Sequence, residues 1–263
     1  MIIEQIWTGN SYRNFNYLIV CPETGEAMAV DPLDHEKCLG LAKSKGWTIT
    51  QVLNTHEHFD HTGGNDAVIS ETGAKLLAHK NAKDSIAGLD RGLGAGDVIK
   101  VGKSVEIEAL DTPGHTMSHV CLLTRTDQPA LVCGDTLFNA GAGNCHNGGP
   151  PNELYDTFAN ILANLPDETL IYPGHDYMGN NLEFTLDREP DNTRAKSLLD
   201  EIDAQDPNNA LVSTMALEKD INTFLRLRSP SVIAQLRDSF PELPDTPEPR
   251  EVFIKLRELR NSW

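Results

Sequence analysis

Four candidate metal ligands fall within six residues of this chain: His56, His58, Asp60 and His61, in the run Thr-His-Glu-His-Phe-Asp-His at 55 to 61. They follow TITQVLN, which has the length and apolar pattern of a buried strand. Any fold for this sequence must therefore end a sheet strand here and present several side chains to one point, as a rigid sheet edge can. By chance, His-x-His-x-Asp-His arises on the order of once in a thousand chains of this composition. Neutral imidazoles with a carboxylate suit zinc and similar borderline divalent ions, and alternate residues of an extended segment point His56 and His58 the same way.

The surrounding pattern begins with FNYLIV, the turn PETGE and AMAVDP, which predict a hairpin of two strands. HEKCLGLAKSKG has helical spacing and a terminal Gly, TGGNDAVISETG predicts a short helix, and KLLAHK a strand. From about residue 98 strands dominate, in VIKVGKSVEIEALDTPGH and in SHVCLLTRTDQPALVCGDTLF, where TDQP separates two apolar runs. The Gly-rich NAGAGNCHNGGPP leads into an amphipathic helix, NELYDTFANILANLP, and TLIYPGHDY is a further strand. Beyond about 178 the strand signals stop; TRAKSLLDEIDAQD, SPSVIAQLRDSF and PREVFIKLRELRNSW read as helices. The expected organisation is α+β, with a catalytic domain at 1–177 and a helical substrate-binding segment at 178–263.

Three more strand ends carry ligand-type residues: Thr-Pro-Gly-His ending at His115, Gly-Asp ending at Asp135, and Pro-Gly-His ending at His175. With the first cluster they make seven ligands, enough for two four-coordinate ions that share a carboxylate and a water. Composition narrows the partners. Against 39 Asp+Glu there are 22 Lys+Arg, and a net charge of −17 disfavours nucleic acid and membrane surfaces, leaving a small-molecule substrate. Five cysteines with no CxxC pair predict reduced thiols, and the absence of a leader pattern or apolar span predicts a cytoplasmic chain.

THEHFDH, TPGHTMSH, GDTLF and YPGHDY together resemble the metallo-β-lactamase superfamily, and the whole chain is similar to its glyoxalase II (hydroxyacylglutathione hydrolase) branch. The resemblance implies an αββα sandwich with two divalent ions at one edge, zinc first, with iron or manganese as alternatives. It implies a first ion on His56, His58 and His115, a second on Asp60, His61 and His175, and Asp135 between them. Two ions roughly 3.5–4 Å apart hold a water as hydroxide near neutral pH and polarise a carbonyl. Asp60 beside them could orient that nucleophile or take its proton. Asp135 stands where some β-lactamases carry a metal-binding cysteine, which counts against penicillin-type substrates.

For the substrate, the resemblance implies a glutathione-derived thioester such as S-D-lactoylglutathione. Arg257 and Arg260, one helical turn apart in RELRNSW, match the family's basic pair and suit the glycyl carboxylate. Tyr177 matches a family tyrosine near glutathione. GAGNCHNGG departs from the family, placing Asn144, Cys145 and His146 where a lysine and a tyrosine are usual; Asn144 and His146 still offer hydrogen bonds. His35, His79 and His119 read as structural or surface residues. Two other enzyme classes share the metal set: persulfide dioxygenases with one iron on residues equivalent to His56, His115 and Asp135, and hydrolases of other esters, lactones or thioesters.

Overall fold

Phe15, Tyr17 and Ile19 alternate with Leu18 and Val20 along one strand, and both sets are buried, so this strand is covered on both faces. The computed structural model, which describes residues 1–202 and 205–263, meets that demand with two packed sheets, each carrying helices outside. In chain order the elements are β1 (Ile2–Trp7), β2 (Phe15–Val20), β3 (Glu26–Val30), α1 (His35–Lys45), β4 (Thr48–Leu53), α2 (Phe59–Thr62), α3 (Asn65–Thr72), β5 (Lys75–His79) and β6 (Arg91–Leu93). Then follow β7 (Val98–Val101), β8 (Val105–Asp111), β9 (Val120–Thr124), β10 (Ala130–Gly134), β11 (Leu137–Phe138), β12 (Gly141–Ala142), α4 (Pro151–Asn160) and β13 (Leu170–Pro173). The last part holds α5 (Met178–Arg188), α6 (Thr193–Ile202), β14 (Ser213–Thr214), α7 (Met215–Ile221), α8 (Pro230–Ser239) and α9 (Pro249–Arg260).

One six-stranded sheet has the order β1-β2-β3-β4-β5-β6, the other β14-β13-β10-β9-β8-β7. Their facing sides bury Tyr17, Met28, Leu53, Ile107, Val132 and Tyr172 in a common core. The outer face of the first sheet, including Leu18 and Val52, packs under Cys38 and Ala42 of α1 and Val68 of α3. The outer face of the second, including Leu131 and Ile171, packs under Phe158 of α4, Phe184 of α5, Leu236 of α8 and Phe253 of α9. This is the expected α+β class and αββα layering. Of the helices beyond 178, α5, α7, α8 and α9 share that last core with α4, while Ala195 and Leu198 of α6 pack in a smaller cluster with Met178, Leu182 and Ile221.

The predicted hairpin is β2–β3, paired from Tyr17↔Val30 to Val20↔Ala27, and the helix at 35–45 ends on Gly46 in the left-handed conformation, φ 70°. Two expectations need correction. Strand structure does not stop at 178: β14 pairs antiparallel with β13 through Leu170↔Thr214 and Ile171↔Ser213, giving that strand a second neighbour. The helix expected over TRAKSLLDEIDAQD is α6 to Ile202, and Asp203 and Ala204 of that expectation lie outside the described residues. No helix among the described residues is long and apolar enough to cross a membrane.

The entry to α3 depends on one glycine. A Cβ on Gly64 would sit 1.8 Å from the Pro32 carbonyl oxygen, so backbone would have to move. Gly64→Ala is expected to cost about 1–3 kcal/mol of stability, read as a lowered unfolding midpoint in urea. An unchanged midpoint would show that the contact relaxes freely.

Candidate metal centre

The ligand-type residues occupy the ends of strands from both sheets. His56 follows β4 in a bend and His58 is extended, while Asp60 and His61 lie on the single turn α2. His115 follows β8, Asp135 follows β10 and His175 follows β13. Three groups of ligand atoms result, each with all atoms within 4.8 Å of one another: His56, His58 and His115; His56, His61 and Asp135; and Asp60, His61 and His175. Asp135 lies between the outer two, its Oδ2 3.6 Å from His115 Nε2 and 3.2 Å from His175 Nε2. The ligand residues named from the sequence are thus brought to one place.

Hydrogen bonds at the far side of each ring settle which nitrogen faces the centre. Carbonyls only accept, so His115 Nδ1, 2.7 Å from the Asn144 carbonyl, and His175 Nδ1, 2.7 Å from the Tyr12 carbonyl, carry protons. The Asp31 carboxylate imposes the same on His61 Nδ1 at 2.9 Å. Thr55 donates its hydroxyl to Asp31 Oδ2 at 2.7 Å, which leaves its oxygen to accept from His56 Nδ1 at 3.0 Å. When neutral, all four rings turn an Nε2 lone pair inward. Those lone pairs converge: His61 Nε2 is 3.2 Å from His175 Nε2, and His56 Nε2 and His115 Nε2 both point at His58 Nδ1, at 3.0 and 3.1 Å. Asp135 Oδ1 is buried there without a hydrogen-bond partner. Converging acceptors repel unless positive charge lies among them, so this donor set fits divalent cations.

Electrostatics point the same way. Burial pushes the His56 and His115 imidazoles down, toward the neutral ligating form. At His61 burial also pushes down, but the Asp135 and Asp31 carboxylates outweigh it and the imidazole titrates well above its usual range. Burial alone would raise the Asp135 carboxyl; His175 and His61 instead hold it well below the ordinary carboxylate range. A metal ion would take over the charge that these histidine protons supply, so loading releases protons.

The supporting groups are what the sequence reading missed. Asp31, at φ 49°, follows β3 and accepts from Thr55 N, Thr55 Oγ1 and His61 Nδ1. Its one signal was an acid before proline after a buried strand. Asn14 is fully buried, and its Nδ2 lies 3.2 Å from Asp60 Oδ2. His119, read as structural or surface, is fully buried and adjoins the centre: its Nε2 accepts from Asp135 N at 3.2 Å, and it stacks on His56 at 5.1 Å between ring centroids.

Of the residues assigned to substrate, Tyr177 stacks on His175 at 4.9 Å and donates to the Tyr12 carbonyl at 3.0 Å. Asn144 is half-buried beside His115 and its Oδ1 accepts from the main chain of the exposed His146. Arg260 is half-buried, 3.3 Å from Asn181 Oδ1 and over the Trp263 ring. Arg257, matched with Arg260 to the family's basic pair, lies deeper than its neighbour. It is 3% exposed, and its Nη1 donates to the carbonyls of Ala142 and Gly143, so packing has turned it inward.

Residues 16–175 match the family model described as Metallo-beta-lactamase superfamily, and with the centre above they define a metal-dependent hydrolase. Residues 176–263 match the model described as Hydroxyacylglutathione hydrolase C-terminus. A hydroxyacylglutathione hydrolase of Polaromonas sp. is 70% identical, and one of Nitrosococcus oceani 66% identical, each over 100% of both chains. The crystal structure of ETHE1 from Myxococcus xanthus matches with a TM-score of 0.71 and 26% identity, covering 99% of this chain and 92% of that one. The chain belongs to the hydroxyacylglutathione hydrolase family of the metallo-beta-lactamase superfamily.

Proposed function

We propose that this chain hydrolyses S-2-hydroxyacylglutathione thioesters, S-D-lactoylglutathione first among them, to glutathione and the hydroxy acid on a two-ion centre. The observation that carries the reading is the pair of ligand groups, His56, His58 and His115 on one side and Asp60, His61 and His175 on the other, with Asp135 between. In this reading each group would hold one ion, with Asp135 between them, zinc being the first candidate and iron or manganese the alternatives. Divalent ions, when bound, lower the pKa of water, polarise the thioester carbonyl and offset charge on the departing thiolate.

The chain's own groups do the rest. Asp60, held by Asn14, is placed to orient the attacking water or accept its proton. In this reading Tyr177, Asn144, His146 and Arg260, with Arg257 behind them, serve the glutathione peptide, the catalytic part being 1–177 and the helical substrate-binding part 178–263. Full-length identity to two proteins of that name supports the substrate class. The second ligand group counts against a one-iron persulfide dioxygenase, which would not need it. Five free cysteines suit the reducing cytoplasm.

Steady-state hydrolysis of S-D-lactoylglutathione by metal-analysed protein, beside a simple thioester lacking the peptide, tests this. The expected result is a strong preference for the glutathione thioester, about two ions per chain, and loss of turnover on chelation that added metal restores. Equal or poor turnover of both substrates would overturn the glutathione assignment and leave the metallohydrolase.

A further inference from the structure

The segment joining Asp135 to Asn144 makes its main-chain hydrogen bonds largely to side chains from far along the chain. Asn181 Nδ2 donates to the Asn139 carbonyl at 2.9 Å, and the fully buried Glu218 accepts from Ala140 N at 2.8 Å. Asn222 Nδ2 donates to the Gly141 carbonyl at 3.0 Å. Arg257, reaching in from α9, takes the next two carbonyls, Ala142 at 2.9 Å and Gly143 at 3.0 Å. The following carbonyl, that of Asn144, accepts the His115 Nδ1 proton at 2.7 Å. The packing leaves little slack: a Cβ on Gly143 would lie 1.9 Å from the Asp135 carbonyl oxygen.

Arg257 has no carboxylate partner among the described residues. Its guanidinium lies 5.5 Å from the Phe224 ring centroid, and its Nε donates to Asn261 Oδ1 at 3.1 Å. Burial depresses its pKa to about 10. A buried guanidinium without a counter-ion is costly unless its donors are filled, and here two backbone carbonyls fill Nη1. Such an arrangement exchanges folding energy for a fixed main-chain position.

We propose that Arg257 is a positioning residue of the metal centre: it fixes residues 142–144 so that the Asn144 carbonyl holds His115 with its Nε2 toward the ligand cluster. The proposal rests on His115 as a ligand in the reading above, and not on which thioester is cleaved.

The test compares wild-type protein, Arg257→Lys and Arg257→Met. Zinc affinity is read by chelator competition, the His115 Nδ1–H signal by nitrogen-15 imidazole NMR, and kcat and KM on both S-D-lactoylglutathione and the simple thioester. Positioning predicts zinc affinity about 10–100-fold weaker in Arg257→Met and intermediate in Arg257→Lys, with the Nδ1–H signal shifted or lost. It also predicts kcat falling by the same factor on both substrates, with KM little changed. A guanidinium that instead binds the glycyl carboxylate would leave affinity and signal at wild-type values and raise KM for the glutathione thioester alone, which overturns the proposal. Should Arg257→Met not fold, the Arg257→Lys comparison decides by the same readings. Should wild-type protein cleave neither thioester, the proposed substrate fails, while zinc affinity and the imidazole signal still judge Arg257.

Discussion

Replacing His58 with alanine is expected to lower kcat/KM by about a thousandfold or more while the protein stays folded. His58 Nδ1 is the shared neighbour of His56 Nε2 and His115 Nε2, at 3.0 and 3.1 Å, so its loss opens one whole ligand group. A bound ion contributes several kcal/mol to the transition state, and each ~1.4 kcal/mol is tenfold in rate. The fold does not lean on this ring: His58 stands at the start of α2 without a side-chain capping bond, and its Nε2 has no partner. Metal analysis should show about one ion fewer per chain, with circular dichroism unchanged. Near-normal turnover with one ion missing would end the two-ion mechanism.

Asp31→Asn is expected to reduce metal affinity or activity about 10–100-fold and to cost about 1–3 kcal/mol of stability. The backbone is not the reason, because asparagine tolerates the left-handed conformation that Asp31 adopts at φ 49°. The chemistry is. Asp31 accepts from Thr55 N on one oxygen and from Thr55 Oγ1 and His61 Nδ1 on the other, and an amide has only one oxygen. Whichever way it rotates, an NH2 group meets a donor. With the amide nitrogen toward His61, the ring must shift its proton to Nε2 and turn an N–H to the metal. Urea unfolding and zinc competition measure the two losses; wild-type values in both would show that water takes over the acceptor role.

What the sequence made legible follows from density and period. Strands with buried faces announced themselves as β2, β3, β9 and β10 because apolar side chains fill most positions there. β1 went unread because Glu4 and Gln5 interrupt a strand that is only half covered, and β14 because two residues, Ser213 and Thr214, carry no pattern. The ligands were legible since four of them crowd one short window and the others each end an apolar run. Their supports were not. Asp31, Asn14 and Thr55 come singly from separate strand ends, where a polar residue looks like any turn, and only the tertiary fold gives each its partner. The burial of Arg257 was hidden for a related reason. Two arginines at helical spacing look like an exposed basic face, and nothing local reveals that α9 rolls one of them into the core.

The centre also sets an order of events during biogenesis. His61 and His175 are separated by 114 positions and His58 and His115 by 57, yet their nitrogens meet within 3.2 Å. Neither pair exists until both sheets have closed on each other, and closure over such spans is the slow, entropically expensive part of folding. A nascent chain offers only the local histidines of 56–61, too few for either complete group. In the two-ion reading metallation follows closure of the sheets, so protein made without metal is expected to be folded and inactive and to gain activity when zinc is added, which circular dichroism and turnover before and after addition would check.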